Sequence, residues 1–315
     1  MTRQLFWRLV SSLPILFGVL LAGFLLLQVI PTDPATIIAG PTGTAAEIDA
    51  IRRQLGLDAP ILVQFWLYIL RVAQGDLGRS IINNAPVAEE LASALGPTVE
   101  LMFASLIWAV PLGILLGTLA ATRRGKAFDR AVMALSVAGV SVPAFWVGLL
   151  LLQFAAYRWQ LFPLQGRGGP LWTLRGLHHI ALPALMLGII FIGPVARMTR
   201  TAVVEVLGAD FIRTARAKGA SEFQVITRHA LRTALIPVVT LIGLQIGSLL
   251  GGAVIAETIF SWPGVGRLAV GAIVSSDFPM AQGAILVIAC GFIVVNLVVD
   301  TLYGLLDPRI RSGAR

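Results

Sequence analysis

Six stretches of this chain run strongly apolar, and their repetition decides most of what it can become. The first ends at Ile30, and the others cover about 99–121, 131–156, 180–203, 234–256 and 283–305. A helix rises 1.5 Å per residue, so roughly 20 apolar residues cross a hydrocarbon core of about 30 Å. Inside lipid every backbone N–H and C=O must be satisfied within the segment, which helices do. The predicted fold class is therefore an all-α polytopic membrane protein with six transmembrane helices. With 57% hydrophobic and 13% charged residues, the composition fits no soluble domain. Arg3 and Arg8 precede the first run as in a signal peptide, but the run is too long and no A-x-A site follows. It reads as an uncleaved first helix.

Charge sets the expected topology. Of the 24 basic residues, sixteen fall at the N-terminus, in 123–130, in 197–232 and in 309–315. The other eight are spread over 31–98, 157–178 and Arg267. The first group is far denser, so by the positive-inside rule both termini and the 205–232 stretch are expected to be cytoplasmic. A net charge of +8 would suggest nucleic acid in a soluble chain. Here topology accounts for it, and no nucleic-acid partner is expected. The division expected is 1–98 for the first helix and an external region, 99–305 for the transmembrane core, and 306–315 for a cytoplasmic tail.

The polar stretch 205–237 has its own design. Charges such as Asp210, Arg213, Lys218 and Glu222 cost roughly 2.5–3.5 kcal/mol each at mid-membrane, so it lies outside the bilayer. Phe211, Ala215 and Gly219 recur at helical spacing and leave one face small. Gly219 suits a helix stop. Ser221 with Gln224 three residues on reads as a capping box opening a second helix, with Phe223, Ile226, Ala230 and Ala234 at helical spacing. Helix, tight turn, helix is the expectation for 205–233. Basic residues at this place also serve simply as topology markers.

The run Ala215-Arg216-Ala217-Lys218-Gly219-Ala220-Ser221, followed by His229-Ala230-Leu231-Arg232 and Leu235-Ile236-Pro237, resembles the coupling loop of bacterial ABC importer permeases. More narrowly it is similar to the dipeptide/oligopeptide/nickel class, and within it to the first-permease (B-type) subunit. The wider superfamily has E-A-A, three residues, Gly, nine residues, then I-x-L-P. The Gly and the spacing match; the Glu and the final Pro do not, departures usual in the peptide class. Leu55–Pro60, Gly75–Ser80 and Pro97–Leu101 resemble the same class in the same order. So do Leu161–Gly166 and Glu257–Gly266, and Asp277–Pro279 comes shortly after the latter. The resemblance implies an inner-membrane permease of the type I importers, paired with a second homologous permease. It also implies two ATPase subunits, which would bind ATP and Mg, and an extracytoplasmic solute-binding protein. The loop residues it singles out are Phe211, Ala215, Lys218, Gly219, Ala220, Ser221 and Glu222.

Other features carry two readings each. Gly243, Gly247 and Gly251 form a small-residue stripe, for packing within the chain or against a second permease; Gly113 and Gly117 repeat it. Gln153, Gln245 and Asn296 lie deep enough in the spans to line a pathway or to hydrogen-bond between helices. Arg197, Arg200 and Asp300 lie near enough to the expected cytoplasmic end of a span to snorkel. Glu257, Trp262, Pro263 and Gly264 belong to an outer turn whose aromatics suit the interface. A pattern from Glu47 to Ala73, with Ile51, Leu55, Leu62, Phe65, Trp66 and Ile69, suits helices on the membrane surface or packed on the bundle. His178 and His179 are adjacent and share no helix face, so no metal is expected. The chain has no phosphate loop of the G-x-x-x-x-G-K-[ST] kind, so it is not expected to hydrolyse ATP, and no hydrolase or zincin motif is present. A stand-alone secondary transporter or channel is the alternative; it predicts internal repeats and mid-membrane charge, and neither is evident.

Overall fold

A computed structural model describes residues 2–29, 33–40, 42–54 and 56–306. Among them all regular structure is helical, apart from one antiparallel bridge between Arg79 and Pro86. The chain divides into two compact units, Met1–Thr98 with Pro263–Val294, and Val99–Trp262 with Val295–Arg315. Of the tail expected at 306–315, only Leu306 lies within the described residues.

In the first unit α1 (Thr2–Val29) is followed by α2 (Pro34–Ala39), α3 (Ala45–Gln54) and α4 (Ile61–Ala73). Asp33 caps α2, accepting from the Ala35 N–H, and pairs with Arg52 of α3. Burial pushes the Asp33 carboxyl up, but Arg52 and the Ala35 N–H outweigh it and hold the pKa below the usual value. Thr44 and Glu47 form a capping box that starts α3. The single amphipathic pattern expected over 47–73 is split. Gly56 takes φ +70 and Pro60 cannot continue a helix, so the face is reset before α4. In α4 the inward residues are Phe65, Tyr68 and Val72, which pack with Leu16, Leu20 and Phe24 of α1. Leu62 and Trp66, expected on that face, are exposed, and Leu55 lies outside the described residues.

The long helix α5 (Val87–Thr122) begins in this unit, which also holds α12 (Val265–Val274) and the start of α13 (Phe278–Leu306). Val87, Leu91 and Ala94 form a core with Val265, Ala269 and Ala281. Asp277, buried ahead of α13, accepts from the Ser80 hydroxyl and the Ile81 and Met280 amides. The Gly75–Ser80 motif is thus tied to a residue nearly 200 positions away.

The second unit is built around α8 (Leu174–Leu207). In its most apolar window 61% of the residues are buried, against 28% or less in the other three long apolar helices, so it is the central post. Close approach explains this. A Cβ on Gly117 of α5 would meet the Ala196 carbonyl at 2.4 Å and the Thr199 Cβ at 2.7 Å, so only glycine fits. Trp108 lies over Gly188 and donates to the Ala184 carbonyl at 3.3 Å. Further neighbours are α6 (Ala127–Ser141), α7 (Ala144–Leu151) with a π-helical extension Leu152–Arg158, and α11 (Leu231–Ile259). The stretch 131–156, expected as one span, is a broken pair: Ala127–Gly139 and Ala144–Arg158 meet at 101°. Pro143 is the cause, since it forces Val142 into extended backbone (φ −86, ψ 125). Four helices among the described residues are long and apolar enough to cross a membrane, and the bent pair makes five.

Arg200, read from sequence as snorkelling, instead forks onto Asp129 of α6 at 3.0 and 2.8 Å. Asp129 also accepts from the Gly125 amide at 2.9 Å and is almost fully buried.

Candidate functional site

Between α8 and α11 the chain forms α9 (Asp210–Ala217) and the short α10 (Glu222–Gln224), which runs through a π-helical turn, Val225–Ala230, into α11. The turn between α9 and α10 is built from backbone bonds. Gly219 sits at φ +84, its N–H donates to the Arg216 carbonyl at 2.9 Å, and the Ala220 N–H reaches back to Ala215 at 3.2 Å. That is the Schellman pattern, which needs a left-handed residue, hence glycine. Ser221 then accepts from the Gln224 amide while the Gln224 side chain accepts from the Ser221 amide, the capping box read from sequence. Arg216 closes the turn with a two-pronged pair to Glu222 at 2.7 and 3.2 Å.

Beneath the turn, Ile212, Val225 and Ala230 are fully buried against Val206, Leu207 and Ala220. Sequence reasoning placed Phe223, Ile226, Ala230 and Ala234 on one face. Ala230 and Ala234 are buried, but Phe223 is 75% exposed and Val225 takes the inward place. The π turn is the reason: an i→i+5 step shifts the helix face, which a strict 3.6-residue period cannot foresee. Phe211, at 46% exposure, and Phe223 therefore leave apolar rings on the outside of the loop. Lys218, Gly219, Ser221 and Glu222 are exposed beside them, with Ala215 and Ala220 half-buried. A Cβ on Gly219 would meet nothing within 4 Å in this chain. The result is a stiff, prefolded knob with a flat apolar-and-charged crown, suited to docking rather than to chemistry.

The other sequence candidates are scattered. Gln153 is exposed in the π-helical extension, and Gln245 and Asn296 are half-buried. Gly243 and Gly247 are buried, while Gly251 is exposed with open space around it. In the turn after α11, Glu257, Phe260 and Trp262 are buried among the side chains of the second unit. The turn explains it: the Trp262 amide bonds the Glu257 carbonyl at 2.9 Å and folds the indole inward. Pro263 is exposed, and the buried Gly264 caps α12. His178 and His179 each bond a backbone carbonyl, of Leu161 and Arg175 respectively.

Among the described residues, four or five apolar helices and a prefolded polar knob between two of them define a multi-spanning helical membrane protein. Residues 113–312 match the family described as binding-protein-dependent transport system inner membrane component, and residues 1–101 match its N-terminal companion. The chain belongs to this family and is a multi-pass bacterial inner-membrane protein, an ABC importer permease of the peptide/nickel class. It is 45% identical over 304 residues to the glutathione transport system permease protein GsiC of Escherichia coli (strain K12), covering 96% of this chain and 97% of that one. The GsiC protein of Salmonella choleraesuis (strain SC-B67) matches with the same identity and coverage. Among solved structures, a chain of the MetNI methionine ABC transporter in an inward-facing conformation shares the fold. Its TM-score is 0.54 at 18% identity, over 70% of this chain and 98% of that one. A second crystal form gives 0.52 at the same identity, over 70% and 96%.

Proposed function

We propose that this permease forms, with a second homologous permease, the pathway of an ATP-driven importer for peptides or related small solutes. Dipeptides, oligopeptides, glutathione and nickel chelates are the candidates, and the likeness to the glutathione permeases favours a small peptide. An extracytoplasmic binding protein delivers the solute. Two ATPase subunits bind ATP and Mg and do the hydrolysis, since this chain has no phosphate loop. Six spans are α1, α5, the bent α6–α7 pair, α8, α11 and α13, with both termini cytoplasmic. Residues 1–98 supply the first span and external region, 99–305 the core, and 306–315 a tail. The knob at 205–233 then faces the side that holds ATP, and its crown, Phe211, Ala215, Lys218, Gly219, Ala220, Ser221 and Glu222, docks on an ATPase. Closure of the ATPases draws the knobs together and turns the pathway outward, a population shift between two states. Gln153, Gln245 and Asn296 line the pathway. Gly243, Gly247 and Gly251 pack permease on permease, and the turn at Glu257, Trp262, Pro263 and Gly264 shapes the outer mouth.

The prefolded knob carries this reading: it combines exposed rings, a rigid turn and paired charge on a polar loop. Its test is a pull-down of the chain from solubilised native membranes. An ATPase, a second permease and a binding protein are expected with it. Recovery alone as a stable homo-oligomer would point to a secondary transporter and strip the knob of its role.

A further inference from the structure

The segment 157–178 between α7 and α8 is fastened from within. Arg167 forks onto Glu100 at 3.0 and 2.6 Å, and the Gly166 amide donates to the Phe260 carbonyl at 2.9 Å. A carbonyl oxygen only accepts, so the His178 Nε2–H donates to Leu161 at 2.7 Å, and the imidazole packs 5.2 Å from the Phe162 ring. The outward surface of this fixed segment is unexpectedly apolar. Trp172 is 85% exposed and Leu174 87%, with Trp159 and Leu177 also more than half exposed. A shallow, wide-open groove, walled mainly by carbon, is lined by Leu174, Arg175, Leu177 and His178 of one helical turn. Arg167 is paired, but no carboxylate pairs with Arg175 among the described residues.

We infer that this groove is a phospholipid site selective for an anionic headgroup. Position comes first. Helix α8 has 34 residues, about 51 Å at 1.5 Å each. Between Arg175 and Arg197 no charged residue interrupts the helix, a run of about 32 Å that matches a hydrocarbon core of roughly 30 Å, so the first turn of α8 lies at headgroup level. Tryptophans such as Trp159 and Trp172 favour that layer. Chemistry comes second. Leu174 and Leu177 offer a seat for the upper part of an acyl chain. The Arg175 guanidinium matches two phosphate oxygens in a planar fork, and with its Nε2–H given to Leu161 the other ring nitrogen of His178 can accept from a headgroup hydroxyl. No acidic side chain lines the groove, so charge favours an anionic headgroup over a zwitterionic one. A soluble peptide would find the same charge but leave the leucines wet.

The test is native mass spectrometry of the full chain, with the subunits that accompany it, released from nanodiscs of equal phosphatidylglycerol and phosphatidylcholine. Phosphatidylglycerol should be retained in preference, and Arg175→Gln should cut that retention about fivefold, the worth of one near-surface arginine. Arg232→Gln removes the same charge elsewhere and should leave retention unchanged. Equal retention by the Arg175→Gln protein, an equal loss in Arg232→Gln, or no preference between the two lipids would each overturn the site. A photoactivatable phosphatidylglycerol should label 172–178; a groove covered by a second permease would take no label, and that too would overturn it. That the site faces the outer leaflet follows only from the topology proposed above, but retention does not rest on it: a chain inserted the other way would still hold the lipid.

Discussion

Gly219 gives the sharpest test of the knob, because substitution there changes backbone options and little else. Its φ is +84, and a Cβ would meet no atom of this chain within 4 Å. The penalty is therefore conformational, not steric crowding. Placing an ordinary L-residue in the left-handed region costs roughly 1–2 kcal/mol. At about 1.4 kcal/mol per factor of ten, the Schellman turn of an alanine variant is depleted roughly 5- to 30-fold relative to its competitors. Asparagine tolerates this region several-fold better, and a β-branched residue is a true outlier there. Uptake driven by ATP into reconstituted vesicles, normalised to inserted protein, should fall in the order Gly, Asn, Ala, Val. Gly219→Asn should keep most activity and Gly219→Val should lose tenfold or more. If Val transports like Gly at equal insertion, the turn is not needed. If Asn is as poor as Val, the constraint is space against the docking partner, and the backbone argument fails.

Gly117→Ala should destabilise the chain by about 1–3 kcal/mol, seen as a lower Tm in detergent, because its Cβ would collide with the backbone of α8. Asp129→Asn should cost roughly 1–3 kcal/mol by the same measurement, since it weakens two charge-assisted bonds to Arg200 at a buried site. Thr199→Val should be neutral or mildly stabilising with transport unchanged: the Thr199 hydroxyl is buried without a hydrogen-bond partner among the described residues, and the isostere removes that cost. A fall in Tm would show that the hydroxyl is satisfied. The pairing of α2 with α3 should loosen in acid. The Asp33 pKa is depressed when folded, so its contribution is present above the ordinary value of 3.8 and lost as pH falls below it. Hydrogen exchange at Gly40 between pH 6 and pH 3 reads this, and protection that persists unchanged would contradict it.

Local rules carried far in this chain. The Gly219 stop and the Ser221–Gln224 capping box depend on neighbours a few residues apart, and both are where the sequence puts them. Long-range pairing is another matter. Arg200 and Asp129 stand 71 positions apart. The only hint was a lone acid inside the basic cluster 123–130. Periodicity failed where the helix itself changes period: the π turn at Val225–Ala230 moved Val225 in and Phe223 out. Residue type alone did not foretell the burial of Trp262, which its turn aims inward. The glycine-bearing contact of α5 with α8 was visible only as a repeat, Gly113 and Gly117; its partner surface could not be read from spacing.

The break at Val142–Pro143 makes the main chain itself a polar feature within an apolar stretch. Pro143 has no N–H, so the Gly139 carbonyl lacks its usual donor four residues on, and the first amides of α7 lie ahead of any helical acceptor. Lipid tails can answer neither group, at several kcal/mol apiece. A corner of this kind must turn toward water or toward another protein surface. The hydrogen-bonding capacity of such a corner depends on no side chain and is therefore hard to lose by substitution.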